Sequence, residues 1–388
     1  MKQDAAMAYP HQPGVIITGA SGFIGRHLVD RLKDSCRIYA FARRSQRESG
    51  IPIHSNIRWV RSDIADRRRM ARAVADIAKD NRIDFVVHLA AYYDFNYGPH
   101  PEYYRTNVLG TGLLLSLSAE LGIKRFILAS SLGGCNFPPA GQTINESSPL
   151  DAAFPYAATK RRCEEMLKTY SSRIPSASMR FAAIYSDWCE YPPLYMLLKR
   201  WLSSSWLSRM IPGKGETALP YIHIQCVMDA ILLAMENAHR LPRYDTYVVS
   251  PDTATSFREL YTRGVRLHAG NPKRPVYVPK ALSVAGIHAQ HGWRRLTGKR
   301  SLEQPWMGKY IDLKLTADCR YTRQALGWEP RTELDILQRL AVMIGNLRRH
   351  PVKWHRANLA AMAKTDQEKA DLACRYGTAG CPFLRCRK

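Results

Sequence analysis

The sequence is poor in acidic residues, and it lacks a long uninterrupted hydrophobic run. Among 388 residues, 33 are Asp or Glu and 57 are Lys or Arg, so the formal net charge is +24. No segment reaches the roughly 18 apolar residues that a membrane-spanning helix requires. The amino end has no apolar stretch like a signal peptide. We therefore expect a cytoplasmic protein without an integral membrane segment, while peripheral membrane contact stays open.

Closely paired cysteines and nucleic-acid-binding motifs are also missing. The nine cysteines are spread from Cys36 to Cys386 without the paired spacing of a disulfide framework. In the tail, six and four residues separate Cys374, Cys381 and Cys386, and the nearest histidines are distant, so we expect no metal site. The basic residues are scattered and no recognised nucleic-acid module is present, so we expect no nucleic-acid partner.

The sequence does contain a regular alternation of β-rich and helical segments. Buried strands are predicted at 14–18, 37–41, 57–60, 85–89 and 125–129, with helices at 70–79, 110–121, 333–347 and 354–371. This alternation predicts an α/β fold with a Rossmann-type doubly wound parallel sheet and a smaller C-terminal substrate lobe. We expect the Rossmann domain over residues 13–185, the lobe over 186–347 with some strands returning to the sheet, and an appendage over 348–388.

Three glycines follow the first predicted strand and open a helix. In this context Gly19 permits a tight turn, Gly22 lets the backbone approach a pyrophosphate, and Gly25 lets helix and strand pack closely. The unpaired N–H groups at the start of the helix favour phosphate. We therefore predict that a dinucleotide binds at this turn, whose other predicted contacts are Ser21, Phe23 and Ile24.

The second predicted strand ends in arginines rather than in a carboxylate. An NAD-binding unit usually carries Asp or Glu there to accept a hydrogen bond from the ribose 2′-hydroxyl, whereas arginine suits a 2′-phosphate. Arg43 and Arg44 therefore predict NADP, with NAD as the alternative. Asp63 and Ile64, after the third strand, are expected beside the adenine.

A tyrosine and a lysine stand four residues apart on one face of a predicted helix. A tyrosine has a pKa near 10 and is a weak base at neutral pH, but a neighbouring ammonium favours the phenolate. Lys160 is placed to act on Tyr156 in this way and to bind the ribose hydroxyls. Ser131, at the end of the fifth strand, is placed to hydrogen-bond a substrate oxygen where charge develops.

These motifs resemble the extended short-chain dehydrogenase/reductases, also called the NAD-dependent epimerase/dehydratase family. The likeness runs from about residue 13 to 347 and rests on TGASGFIG (18–25), HLAA (88–91), NVLGT (107–111), SS (130–131), YAATK (156–160), YIHI (221–224) and LGW (326–328). The resemblance implies that Ser131, Tyr156 and Lys160 are catalytic. It also implies a homodimer through the helices that hold residues 110–121 and 156–170. Further cofactor contacts implied by it are Leu89, Ala90, Ala91 and Asn107, although Asn107 could equally be a capping or packing residue.

The resemblance also bears on the substrate. Ala183 stands where sugar-nucleotide enzymes of the family carry an asparagine, so the sequence is similar to the hydroxysteroid dehydrogenase and dihydroflavonol reductase branch. Aromatic residues after the fourth and sixth strands suit a ring-bearing or lipidic substrate, or else an ordinary aromatic core. The predicted substrate contacts are Tyr92, Tyr93, Ala183 and Trp188.

We therefore expect an NADP-dependent oxidoreductase that transfers a hydride between NADPH and a ketone or secondary alcohol. The alternatives are a nucleotide-sugar epimerase or dehydratase and a non-catalytic dinucleotide-binding sensor. A membrane-docking stretch is a further possibility, because Lys199, Arg200 and Arg209 accompany Trp201 and Trp206.

Overall fold

The structure is a computed structural model of the chain. It describes residues 12–94, 98–270, 273–297 and 303–362. The strands are β1 (Gly14–Thr18), β2 (Arg37–Ala42), β3 (Ile57–Arg61), β4 (Phe85–His88), β5 (Arg125–Ser131), β6 (Ser176–Phe181), β7 (Ala183–Tyr185), β8 (Met210–Pro212), β9 (Ala218–Leu219), β10 (Tyr221–His223), β11 (Tyr244–Val249), β12 (Thr255–Ser256) and β13 (Val276–Val278).

The helices lie between and beyond these strands. They are α1 (Phe23–Leu32), α2 (Arg67–Asp80), α3 (Gly110–Ser118), α4 (Pro155–Tyr170), α5 (Pro192–Trp201), α6 (Ile224–Glu236), α7 (Phe257–Ala269), α8 (Lys280–Leu296), α9 (Arg320–Leu326), α10 (Ile336–Arg349) and α11 (Pro351–Met362). A π-helical segment, Tyr103–Leu109, runs directly into α3, and short 3₁₀ turns cover Leu132–Gly134, Trp206–Arg209, Pro305–Tyr310 and Thr332–Leu334.

The main sheet has seven strands in the order β11-β6-β5-β4-β1-β2-β3, and each neighbouring pair is parallel. Its central strands are buried along their whole length, as expected when helices cover both faces of a parallel sheet. The strand order reverses between β1 and β4, which opens a crevice at the carboxyl ends of the strands. The predicted α/β fold with a doubly wound parallel sheet is therefore confirmed.

Three predicted helices differ from the structure at their ends. The helix predicted at 70–79 begins at Arg67, because the Asp66 carboxylate caps its first turn by accepting a hydrogen bond from the Arg69 N–H. The helix predicted at 333–347 begins at Ile336, where Asp335 caps in the same manner. The helix predicted at 110–121 ends at Ser118 and continues upstream into the π-helical segment. Hydrophobic periodicity does not detect such caps.

A second core lies beside the sheet and includes the beginning of the tail. Helices α5, α7 and α10 pack together with Trp354 of α11, whose side chain is fully buried. Residues 351–362 therefore share a core with the lobe, and the rest of the helix predicted at 354–371 lies outside the described residues. The domain boundaries at 185 and 347 stay predictions. In the described part of the chain, no helix is both long and apolar enough to cross a membrane.

Candidate active site

A cleft of about 570 Å³ lies at the carboxyl ends of β1, β2, β4 and β5, within the size range of cofactor sites. Most of the predicted site residues line this cleft. They are Gly19, Ser21, Gly22, Phe23, Ile24, Gly25, Arg43, Arg44, Asp63, Ile64, Leu89, Ala90, Ala91, Tyr92, Tyr93, Ser131, Tyr156 and Lys160.

The glycine turn joins β1 to α1 and forms one wall of the cleft. Gly19 has a positive φ of 68°, and a Cβ at this position would stand 2.7 Å from the Ala90 nitrogen. A Cβ on Gly25 would stand 2.2 Å from the Gly19 carbonyl oxygen. Helix α1 begins after Gly22, which has no side chain to cap the first-turn N–H groups. These features fit the pyrophosphate of a dinucleotide, because the backbone is accessible and the helix dipole favours anions.

The far end of the cleft is basic. The Arg44 side chain reaches back to the glycine turn, where its Nη2 donates to the Ser21 carbonyl oxygen at 2.5 Å. The Arg44 backbone carbonyl accepts a hydrogen bond from the Trp59 indole at 2.9 Å. Arg43 also lines the cleft. Asp63 forms an ion pair of 2.7 Å with Arg105, so its carboxylate is already partnered. This end therefore presents guanidinium groups to whatever occupies it.

The three predicted catalytic residues lie together at the opposite end. Helix α4 begins with Pro155 and carries Tyr156 and Lys160 into the cleft. The Lys160 Nζ donates to the Ala129 carbonyl oxygen at 2.5 Å and lies 5.5 Å from the centre of the Tyr156 ring. The Ser131 hydroxyl accepts from the Gly133 N–H at 3.2 Å. Buried Lys160 is thus held by β5, the strand that ends in Ser131.

Asn107 is near this site but does not line the cleft. Its Oδ1 accepts from the Tyr92 N–H at 2.6 Å, and its Nδ2 donates to the Tyr92 carbonyl at 3.0 Å and to the Thr159 hydroxyl at 3.0 Å. Because these contacts use both ends of the buried amide, the structure places Asn107 as a support for the Tyr92 backbone. This arrangement matches the packing role that the sequence left open for Asn107, and its contact with a cofactor stays a prediction.

His88 lies at the base of the same region, at the end of β4. Its two ring nitrogens contact the hydroxyls of Thr18 at 2.6 Å and Thr111 at 2.8 Å. Burial, with a smaller contribution from the Lys160 ammonium, lowers the pKa of His88 to about 3. The ring is therefore neutral at physiological pH and ties β4 to β1 and α3.

A buried ion pair behind the catalytic residues was not predicted from the sequence. The Glu164 carboxylate accepts from Arg180 at 2.7 Å, from Ser130 at 2.5 Å and from Ser178 at 2.8 Å. Arg180 also donates to the Ser148 carbonyl at 2.6 Å. Because Glu164 is one helical turn after Lys160, this network fixes helix α4 against β5 and β6. The four-residue spacing of Lys160 and Glu164, which puts both on one face of α4, could have indicated this ion pair from the sequence.

The predicted substrate contacts divide into two groups. Tyr92 and Tyr93 line the cleft, and the Tyr93 ring lies 4.3 Å from that of Tyr156. Ala183 and Trp188 are not among the lining residues. Ala183 belongs to β7, which pairs with β10, and Lys353 Nζ lies 4.4 Å from the centre of the Trp188 ring in the second core. Their neighbours Ala182, Ile184 and Glu190 do line the cleft, so the substrate role of Ala183 and Trp188 stays a prediction.

The segment that follows Trp188 contributes residues that sequence reasoning missed. Glu190 lines the cleft with a positive φ of 53°, and its carboxylate forms an ion pair with Arg26 of α1. The Glu190 N–H donates to Asn358 of α11 at 2.8 Å. Ala360 and Ala361 of the same helix also line the cleft. These residues are far apart in the chain, so no local pattern reveals them.

Among the described residues, no group of three or more His, Cys, Asp or Glu side chains is arranged to hold a metal ion. Cys374, Cys381 and Cys386 lie outside the described residues.

Comparison with known proteins places the chain in a family. Residues 15–250 match the NAD dependent epimerase/dehydratase family, and the chain belongs to it. It is 26% identical over 298 residues to a probable UDP-glucuronate 4-epimerase of Rhizobium meliloti, covering 70% of this chain and 83% of that protein. It is 26% identical over 337 residues to a putative UDP-glucose 4-epimerase of Methanocaldococcus jannaschii, covering 82% and 94%.

A solved structure supports the same fold. The dTDP-glucose 4,6-dehydratase of Bacillus anthracis in complex with NAD superimposes with a TM-score of 0.67, covering 89% of this chain and 99% of that one at 17% identity. The fold therefore agrees with the family assignment. The predicted NADPH-dependent reduction of ketones or oxidation of secondary alcohols is wrong, because these relatives are named as nucleotide-sugar epimerases.

Proposed function

We propose that this protein is a nucleotide-sugar epimerase that acts by reversible oxidation of a ring hydroxyl. The observation that carries the proposal is the convergence of Ser131, Tyr156 and Lys160 in the cleft that the glycine turn opens. A tyrosine at this position is able to take the proton of a sugar hydroxyl and later return it. The relatives' names supply the class of substrate.

Each catalytic side chain has a distinct task in this proposal. The Lys160 ammonium, held on the Ala129 carbonyl, stabilises the Tyr156 phenolate electrostatically. The Ser131 hydroxyl hydrogen-bonds the substrate oxygen as it alternates between hydroxyl and ketone. A nicotinamide dinucleotide, held by the glycine turn and Lys160, would accept the hydride and give it back. The carbon would be inverted if the hydride came back to its opposite face, with no net change in the cofactor.

A dehydratase is the second candidate, and the ion pairing of the acidic residues in the cleft argues against it. Loss of water from a keto sugar needs one group to remove a carbon-bound proton and another to protonate the departing hydroxyl. Of the described residues that line the cleft, the carboxylates are Asp63 and Glu190. Asp63 is paired with Arg105 and Glu190 with Arg26. Epimerisation needs no carboxylate beside Ser131, Tyr156 and Lys160 for proton transfer, so it fits this lining better.

We also propose that the cofactor is NADP. Arg43 and Arg44 follow β2 at the position where a carboxylate would select the free 2′-hydroxyl of NAD, and both line the cleft. The similar dehydratase structure holds NAD, so the two cofactors must be compared directly. Equal affinity for NAD and NADP, or no change in preference in Arg43→Ala and Arg44→Ala, contradicts this part of the proposal.

A homodimer through α3 and α4 remains part of the proposal. Leu109, immediately before α3, and Tyr104 are exposed in the single chain, as residues of a subunit interface would be. Light scattering on the purified protein decides between monomer and dimer.

The decisive experiment is to incubate the purified protein with UDP-linked and dTDP-linked hexoses and to follow the sugars by NMR. We expect inversion at one ring carbon without net consumption of NADPH, and a loss of about 10²–10⁴-fold in rate for Tyr156→Phe. A 4-keto-6-deoxy product would instead establish the dehydratase. Full biological function of Tyr156→Phe in cells would favour a non-catalytic sensor and overturn the proposal.

A further inference from the structure

Helix α8 has an apolar face that points to solvent. Leu282, Trp293 and Leu296 are 64%, 68% and 86% exposed, and Ala285 and Ala289 lie between them on the same side at helical spacing. The helix of a globular protein normally turns its polar face to water and its apolar face to the core. On α8 the outward side is the apolar one, and within the described part of the chain no other element covers it.

The opposite side of α8 already has its packing partner. Val284 contacts Gly308 of the 3₁₀ turn so closely that a Cβ on Gly308 would stand 2.9 Å from Val284 Cγ2. At the start of the helix, Lys280 Nζ donates to the Ile311 carbonyl at 3.1 Å and Ser283 to the Val278 carbonyl at 3.0 Å. These contacts fix the rotation of α8 about its axis. Its apolar face therefore remains outward while the rest of the lobe is intact.

A second exposed apolar element is joined to α8 through a pair of strands. The turn Trp206–Arg209 leads into β8, which pairs with β13, and β13 leads into α8. Trp206 is 75% exposed, whereas Trp201, with which the sequence analysis grouped it, is buried. Arg209 Nε donates to the Arg274 carbonyl at 2.9 Å, which ties the turn to the segment that leads into β13. We call Trp206, Leu207, Leu282, Trp293 and Leu296 the docking face.

The charge around the docking face identifies its partner. Segments 199–215 and 273–297 contain nine Lys or Arg residues and no Asp or Glu. Exposed tryptophan and leucine accompanied by lysine and arginine are typical of surfaces that lie in the interface of an anionic bilayer. A second copy of the chain would bring the same positive charge against itself, which opposes self-association through this face. We propose that the docking face binds peripherally to anionic lipid membranes.

The test uses the full-length protein and sedimentation with vesicles. Phosphatidylcholine vesicles with and without phosphatidylglycerol are compared at low and high salt. We expect the protein to sediment with the anionic vesicles only, and to be released as salt shortens the range of the attraction. The double variant Trp206→Ala/Trp293→Ala should reduce the partition coefficient about tenfold or more, because it removes both aromatic anchors. Ile53→Ala is the matched control, since Ile53 is 94% exposed on a loop outside this face.

Three results would overturn the proposal. The first is that the wild type does not sediment with anionic vesicles at low salt. The second is that the double variant binds as well as the wild type, which would mean that only net charge acts. The third is light scattering in which the double variant dissociates an oligomer that Ile53→Ala retains, which would make the face a contact between subunits. Since both tryptophans are exposed, the variant should keep the wild-type melting temperature, and this is measured alongside.

Discussion

Replacing Glu164 by glutamine should be among the most destabilising single changes near the active site. The substitution keeps the size of the side chain but removes the charge that compensates Arg180, and both side chains are less than a tenth exposed. Removing one partner of a buried ion pair costs about 3–5 kcal/mol, because the other charge is left buried and uncompensated. We expect a loss near the lower end, about 3 kcal/mol, because a glutamine oxygen still accepts one hydrogen bond.

The assay is urea unfolding followed by tryptophan fluorescence and circular dichroism. A domain has only about 5–15 kcal/mol of stability in total, so the midpoint should fall markedly while the slope stays constant. Glu165→Gln is the matched control, because Glu165 is the next residue in α4 and is exposed. A surface change of this kind is expected within about 0.5 kcal/mol of the wild type.

A double variant separates the charge from the packing. Glu164→Leu with Arg180→Met replaces both partners by apolar side chains of similar size, and this should cost less than Glu164→Gln alone. If Glu164→Gln is as stable as Glu165→Gln, the Arg180 guanidinium must be hydrated in the variant, and the argument from burial is wrong.

Three further predictions address the surroundings of the site. Asn107→Ala should lower the free energy of unfolding by about 1–3 kcal/mol in the same urea assay, because it leaves backbone groups of Tyr92 unsatisfied. As the pH is lowered from 6.5 to 3, the free energy of unfolding should fall by up to about 1.4 kcal/mol per pH unit from His88 alone. The reason is that His88 binds a proton in the unfolded chain over this range but stays neutral in the folded one. An NMR titration in which the His88 ring protonates above pH 5 would contradict this. Asn358→Ala should speed cofactor dissociation about tenfold in stopped flow, because it releases the Glu190 segment that lines the cleft. An unchanged rate would mean that α11 does not retain the cofactor.

Much of the cleft could be predicted because its signals are local. The glycine turn occupies eight consecutive residues, and Tyr156 and Lys160 share one helical face. Residues at the ends of parallel strands necessarily meet at one edge of the sheet. Patterns of this kind can be recognised without knowing how distant parts of the chain pack.

The placement of Ala183 and Trp188 could not be predicted in the same way. Both follow β6 in sequence, and a residue that follows a sheet strand is expected near the crevice. Ala182 and Ile184 do line the cleft, whereas Ala183 between them pairs in β7 and Trp188 meets α11 in the second core. The positions of Ala183 and Trp188 depend on how the lobe folds against the sheet, and the residues around Ala183 do not specify this packing.

The sequence alone determined the class of fold, the dinucleotide turn and the Ser131, Tyr156 and Lys160 set, because each depends on periodicity or short spacing. Tertiary structure alone decided that Arg26, Glu190 and Asn358 meet at the cleft, although the partners are 164 and 168 positions apart in the chain. It also decided that the apolar side of α8 faces outward. Such contacts arise from the packing of whole helices and strands, which no local pattern of residue types specifies.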